Sequence, residues 1–113
     1  MLFRSLLLIA DNAWNAGVVL GEFMKSWGDL ESACGVMRVN GQEADRGYGR
    51  DALGHPFVPL TWLANHLAAS GGGLKAGDIV MTGSIVPTRF PKEAGAYHFD
   101  LSGVGSVELS VTV

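Results

Sequence analysis

The sequence predicts a mostly β domain with one main α-helix, an α+β fold built largely on antiparallel strands. Three observations carry this. Sixteen glycines in 113 residues imply frequent tight turns, which suit short strands better than a helical bundle. Asn40-Gly41 lies between two strand-like runs, and both residues tolerate the positive φ of a two-residue hairpin. One stretch only, beginning at His55-Pro56, repeats its apolar residues with a helical period.

The elements follow in order. Asp11 to Ala16 is small and polar, and reads as a loop. Gly17-Val18-Val19-Leu20-Gly21 is a β-branched run between glycines, the pattern of a short buried strand. A turn around residues 26–29 leads to a longer strand through Cys34-Gly35-Val36-Met37-Arg38-Val39, and the return strand runs from Gln42 to about Arg46. Leu60, Leu63, Ala64 and Leu67 stand at i, i+3, i+4 and i+7, one face of a helix packed on the strands. Pro56 fits its first turn and Gly71-Gly72-Gly73 ends it. Lys75-Ala76-Gly77-Asp78 is a turn feeding Ile79-Val80-Met81, an apolar run expected as a buried strand. Tyr97-His98-Phe99-Asp100-Leu101 and residues 106–113 are the last two strands, joined through Ser102-Gly103-Val104-Gly105. In the final one Val107, Leu109, Val111 and Val113 alternate with polar residues, so one face is buried and the other wet.

Composition excludes several classes. A chain 48% hydrophobic and 17% charged is a folded globular one. The net charge of −3, with no cluster of Lys and Arg, gives no footprint for nucleic acid. Leu6-Leu7-Leu8-Ile9 is far short of the roughly 20 apolar residues of a membrane span. Met1 to Ala10 also lacks the charged start and small-residue cleavage site of a signal peptide. Leu2-Phe3-Arg4-Ser5 matches what a common sequencing-adapter end encodes in one frame. Residues 1–5 are therefore expected to be a scar, and residues 6–113 the domain. A single cysteine, Cys34, cannot form an internal disulfide, which suits a reducing, cytoplasmic setting.

Few residues have the spacing of a reactive site. No His lies in a recognised metal pattern. His66 falls away from the leucine face and His98 alternates with Tyr97 and Phe99, so both read as surface residues. His55, just before Pro56, either caps the helix or lines a pocket. Glu43 and Asp45, two apart on a strand, share a face that would hold a divalent cation, although a solvated hairpin arm is the simpler reading. Cys34 has no basic neighbour in sequence and reads as core. Thr82-Gly83-Ser84 follows an apolar run, with a hydroxyl on each side of a glycine. It is either an ordinary polar turn or a turn offering hydroxyls and bare backbone N–H groups to an anionic ligand.

Taken together, the segments resemble the C-terminal part of the fumarylacetoacetate hydrolase superfamily, in its branch of 2-oxo-4-pentenoate hydratases and related decarboxylases. The resemblance rests on Ala10-Asp11-Asn12-Ala13 with Asn15-Ala16-Gly17 and Val19-Leu20-Gly21, and on Leu53-Gly54-His55-Pro56. Trp62-Leu63-Ala64-Asn65-His66-Leu67 and the run from Leu74 through Gly77-Asp78 to Thr82-Gly83-Ser84 extend it. Gly103-Val104-Gly105-Ser106-Val107 looks like the branch's end. The resemblance covers nearly the whole chain after Leu6 and implies a mixed β-sheet roll, here incomplete.

It also implies a chemistry. In this family a divalent metal, Mg²⁺ or Mn²⁺, binds a short 2-oxo acid and stabilises the enolate-like charge that develops as the acid reacts. The family holds the metal by a Glu-x-Glu pair and a third Glu, and none of these occurs here; Glu43-Ala44-Asp45 is not at those positions. The metal ligands and proton-transfer groups are thus expected upstream of this chain. The resemblance leaves Asn12, Asn15, Thr82, Gly83 and Ser84 as substrate-binding residues, with Trp14 and Asn15 standing where many relatives have serine or small residues. It implies a metal-dependent lyase that hydrates a 2-hydroxy- or 2-oxo-alkenoic acid in aromatic catabolism. That enzyme would be a homo-oligomer in the cytoplasm, in some cases complexed with a decarboxylase. The alternatives are a 2-oxo-acid decarboxylase of the 4-oxalocrotonate type, an acylpyruvate hydrolase, or a non-catalytic structural fragment. The chain alone is expected to be inactive and to expose strand edges and apolar surface.

Overall fold

The computed structural model describes residues 17–112. Strand β1, Cys34–Val39, turns through Asn40 (φ 52°) and Gly41 (φ 82°) into β2, Gln42–Tyr48. Positive φ at both turn residues matches the right-handed twist of the flanking strands, so the hairpin is tight. A bulge interrupts it: Met37 faces Asp45 while Arg38 faces Glu43, which leaves Ala44 as the extra residue. Strand β3, Gly95–Leu101, pairs with the other side of β1, and β4, Gly105–Val111, pairs with β3. The sheet runs β2-β1-β3-β4 and every pairing is antiparallel.

Side chains tie the hairpins together. The Asn40 N–H donates to the Ala96 carbonyl (2.8 Å), and Asn40 Oδ1 accepts the Ala96 N–H (2.9 Å). The β1–β2 turn is thereby bonded to the start of β3. At the opposite end Ser102 Oγ accepts the Cys34 N–H (2.8 Å), and the Ser102 N–H donates to the Cys34 carbonyl (2.9 Å). Each turn thus satisfies backbone groups of a strand distant in sequence.

After β2 a short 3-10 turn, Gly49–Asp51, is held by Asp51 Oδ2 accepting the Tyr48 N–H at 2.8 Å. Helix α1 covers Phe57–Ala69 with Pro56 at its N-cap position. At its other end the Gly72 N–H reaches the Leu67 carbonyl (3.0 Å) and the Gly71 N–H the Ala68 carbonyl (3.3 Å). With Gly71 at φ 87°, this is a Schellman motif. Leu60, Leu63, Ala64 and Leu67 form its half-buried face, as the spacing requires, but no helix residue is fully buried.

Two expected strands are absent. Residues 17–21 and 79–81 are irregular, with Val19 47%, Ile79 55% and Met81 70% exposed. An apolar run becomes a strand only where a partner completes its ladder, and no described strand pairs with either. Residues 17–21 instead pass beside β4, where Gly21 approaches the Ser106 carbonyl so closely that an added Cβ would lie 2.9 Å from it. The turn expected at 26–29 lies at 30–32, with Asp29 at its head. Alternation in β4 is partial, because Val107 and Val111 are half-buried whereas Leu109 is exposed. The buried apolar side chains among the described residues are Ala33, Val36 and Ala52, all near the β1 start and the 3-10 turn.

Candidate functional site

One sheet face, the first turn of α1 and residues 81–86 enclose a cleft of about 580 Å³. Its floor is made by Met37 of β1 and by Phe99 and Leu101 of β3. Met37 and Phe99 are direct cross-strand partners, and Leu101 is two residues further along the same strand, so all three project to one side. Pro56 and Phe57 close it from the helix, and Met81, Ile85 and Val86 form the remaining side.

The loop holding Thr82-Gly83-Ser84 is seated by two glycines. Gly35 of β1 and Gly47 of β2 are cross-strand partners, and together they leave a gap in the sheet face. Ile85 fills it. A Cβ on Gly47 would lie 1.8 Å from the Ile85 carbonyl oxygen, and one on Gly35 would lie 2.6 Å from Ile85 Cδ1. Gly49 permits a similar approach by the Leu30 carbonyl, 1.6 Å from where its Cβ would be. Absent side chains in the sheet thus fix the depth at which residues 81–86 lie over it.

Thr82, Gly83 and Ser84 stand together at the cleft's edge. Gly83 has φ 107°, a conformation that favours glycine. The Ser84 hydroxyl turns back on its own loop, donating to the Val86 carbonyl and accepting the Val86 N–H at 3.3 Å. The Thr82 hydroxyl and the N–H groups of Gly83 and Ser84 have no partner among the described residues. No charged side chain lines this cleft. Asn12 and Asn15 lie outside the described residues.

The other candidates are placed elsewhere. Glu43 and Asp45 do not form a paired cation site. The bulge at Ala44 breaks the alternation that would align them, and each carboxylate has its own arginine. Glu43 Oε1 meets Arg46 Nε at 2.7 Å, and Asp45 Oδ2 meets Arg89 Nη2 at 2.6 Å. The hydrogen bond from Arg46 holds the Glu43 carboxyl below its ordinary value and, reciprocally, Glu43 raises the Arg46 guanidinium. Cys34 is half-buried and does have a basic neighbour, which the fold brings from β2: Arg46 Nη1 lies 3.6 Å from Sγ.

His55 takes both roles its position allowed. Its Nδ1 accepts the Phe57 N–H (3.0 Å) at the start of α1, and its ring lines a shallow pocket with Trp62. His66 is exposed and stacked on Trp62, with centroids 4.9 Å apart. His98 is half-buried in β3, opposite Arg38 and Glu108. Lys75 is exposed, and its backbone N–H donates to Asp78 Oδ2 (2.7 Å). Among the described residues no three His, Cys, Asp or Glu side chains converge on a point that would hold a metal ion. No helix among them is long and apolar enough to cross a membrane.

Sequence reasoning singled out Thr82, Gly83 and Ser84, which line this cleft, but did not foresee the apolar floor beneath them. The pairing of Gly35 with Gly47 is hidden because the bulge shifts the register by one; a regular hairpin from Asn40-Gly41 would place Gly35 opposite Arg46.

Residues 4–112 match the family model described as fumarylacetoacetate (FAA) hydrolase C-terminal. A 2-keto-4-pentenoate hydratase from Burkholderia vietnamiensis is 37% identical over 106 residues, spanning 92% of this chain and 40% of that protein. A 2-oxo-hept-4-ene-1,7-dioate hydratase from Escherichia coli is 35% identical over 101 residues, 88% of this chain and 38% of its own length. Among solved structures, the 4-oxalocrotonate decarboxylase from Pseudomonas putida G7 complexed with magnesium and adipate superposes with a TM-score of 0.65 at 34% identity. That match covers 72% of this chain and 31% of the other. The chain thus spans about 40% of the length of the curated relatives it matches.

Proposed function

The chain belongs to the fumarylacetoacetate hydrolase C-terminal family, and from that premise we propose that it forms one wall of the substrate site of a lyase that hydrates a short 2-oxo-alkenoic acid. The observation that carries this reading is the cleft itself: unpartnered donors at Thr82, Gly83 and Ser84 on the rim of an apolar hollow. Donors at one end suit the charged and carbonyl oxygens of such an acid, and apolar side chains suit its hydrocarbon part. Asn12 and Asn15 belong to the same proposed substrate contacts, and residues 6–113 to one catalytic domain.

Within this reading the chain binds, orients and shields. Thr82 Oγ1 donates to a substrate oxygen, while Gly83 leaves the backbone open to close approach. Phe57, Met81 and Phe99 exclude water from the bound carbon chain. The described residues do not fit a divalent cation, since their acidic groups are separated or paired with arginine. A Mg²⁺ or Mn²⁺ ion would therefore depend on ligands other than these. A cytoplasmic, homo-oligomeric enzyme is part of the proposal, with association to a partner lyase as its extension.

A second reading, decarboxylation of a 4-oxalocrotonate-type acid, is favoured by the solved neighbour's identity. The test is to give the full-length gene product 2-hydroxypenta-2,4-dienoate and 4-oxalocrotonate in separate assays. Loss of dienoate absorbance without CO₂ release is the expected result. CO₂ release from 4-oxalocrotonate with no hydration establishes the second reading instead.

A further inference from the structure

The connection from α1 to β3 carries Thr82, Gly83 and Ser84 yet contains no helix or strand. Among the described residues, its stretch 79–89 makes no backbone hydrogen bond to a strand or to the helix. Ile85 packs into the gap left by Gly35 and Gly47 but is not hydrogen-bonded there. What crosses from this stretch to the sheet as a polar contact is Arg89, whose Nε (2.8 Å) and Nη2 (2.6 Å) both reach Asp45 Oδ2. The bulge is what aims Asp45 at it. In a regular hairpin from Asn40-Gly41, Asp45 would lie opposite Val36 and face away from the cleft. With Ala44 as the extra residue it lies opposite Met37, on the same face as Met37 and Gly47. Strand β2 therefore meets the crossing stretch twice on one face, at Gly47 under Ile85 and at Asp45 beside Arg89. The Ser84 hydroxyl is bonded to the Val86 backbone, so residues 84–86 move together and any shift of Ile85 is carried to the rim.

We propose that Asp45 is a positioning residue for the substrate site: through Arg89 it keeps Ile85 in its glycine gap and so fixes Thr82, Gly83 and Ser84 over the apolar floor. This role rests on the reading of the site given above. Neither partner lines the cleft itself; both border the neighbouring groove formed with residues 87–94. The Asp45 side chain is 23% and that of Arg89 40% exposed, so the pair is partly shielded from screening by salt. One such pair adds little to overall stability. Site geometry is far more sensitive, because a displacement of about 1 Å is enough to spoil a substrate contact. Loss of the pair is therefore expected to show in substrate binding before it shows in melting temperature.

The test uses the full-length gene product and two readouts, one of them taken without substrate. Ile85 Cδ1 and Phe99 Cζ both border the space a Gly35 Cβ would take, 2.6 and 2.5 Å from it. The Ile85 δ1 methyl, labelled with ¹³C and identified by its loss in Ile85→Val, thus carries a ring-current shift from Phe99. Asp45→Ala and Arg89→Gln are each expected to move that signal toward the position of an isoleucine clear of any ring. Glu43→Gln, which releases the Arg46 pair on the same strand, is expected to leave it in place. With 2-hydroxypenta-2,4-dienoate, either clasp variant is expected to raise KM about fivefold and to change kcat less than about twofold. Added to Thr82→Val, Asp45→Ala is expected to raise KM by less than about twofold more, as for residues acting through one contact. A merely structural role would give the full fivefold in both backgrounds. The proposal is overturned by an Ile85 signal unmoved in both clasp variants, or moved as much by Glu43→Gln. It is equally overturned by the full rise on top of Thr82→Val, or by an unchanged KM in both clasp variants while Thr82→Val raises it. If Thr82→Val alone leaves KM unchanged, the site reading falls and the positioning role with it, a failure seen in a variant whose clasp is intact.

Discussion

At the scale of single residues, what is missing matters as much as what is present. Gly47 has no Cβ, and the Ile85 carbonyl occupies the space one would take. The obstruction is backbone, so it cannot rotate away as a side-chain tip would. Gly47→Ala is expected to lift residues 81–86 from the sheet and to destabilise the fold by about 1–3 kcal/mol, the usual cost of overpacking. Gly28→Ala is the control, since nothing lies within 4 Å of its added methyl; it should change stability by no more than about 0.5 kcal/mol. Urea denaturation midpoints compare the two, and equal midpoints would remove Gly47 from the account of how the loop is seated. The importance of Gly47 was not legible in the sequence, because it depends on a strand partner and a crossing loop 38 positions away.

At the scale of elements, local chemistry separates what could be read from what could not. The Asn40-Gly41 hairpin and the Leu60 to Leu67 helical face were legible because each depends on neighbours in sequence. Residues 17–21 and 79–81 have the composition of strands but lack partners in the sheet, and composition does not report pairing. The Glu43 and Asp45 alignment failed for a similar reason, since a bulge is a property of two strands together. The turn entering β1 offers a pH test of one element. Asp29 accepts hydrogen bonds from the Glu31 N–H (3.1 Å) and Ser32 Oγ (2.7 Å). The bond from Ser32, then that from Glu31, hold its carboxyl below the ordinary 3.8. A depressed folded-state value means that the turn's contribution is present above 3.8 and is lost as pH falls through the lower value. The Glu31 amide resonance is therefore expected to hold steady from neutral pH and to titrate only below 3.8. A midpoint at or above that value would show that these bonds do not persist in solution.

At the scale of the molecule, a four-stranded sheet supports a cleft whose chemistry is uneven. It buries few apolar side chains and leaves Phe23, Trp27, Phe57 and Trp62 exposed, while Trp27 and Phe57 meet edge to face at 6.2 Å. A chain with so much exposed aromatic surface is better suited to contributing a wall to a site than to enclosing one. The family was legible from short motifs whose order and spacing survive in sequence, and Thr82-Gly83-Ser84 was among them. The cleft's apolar floor was not, because Met37, Phe99 and Met81 come together only through strand pairing and loop seating. The central claim is that the Thr82 to Ser84 rim holds the polar end of a 2-oxo-alkenoic acid. It is tested most directly by Thr82→Val in the full-length gene product, which keeps the side chain's shape and removes its one unpartnered hydroxyl. The KM for 2-hydroxypenta-2,4-dienoate is expected to rise about tenfold or more, as for a lost hydrogen bond to a charged group, with the melting temperature nearly unchanged. An unchanged KM, with the variant folded and active, would contradict it.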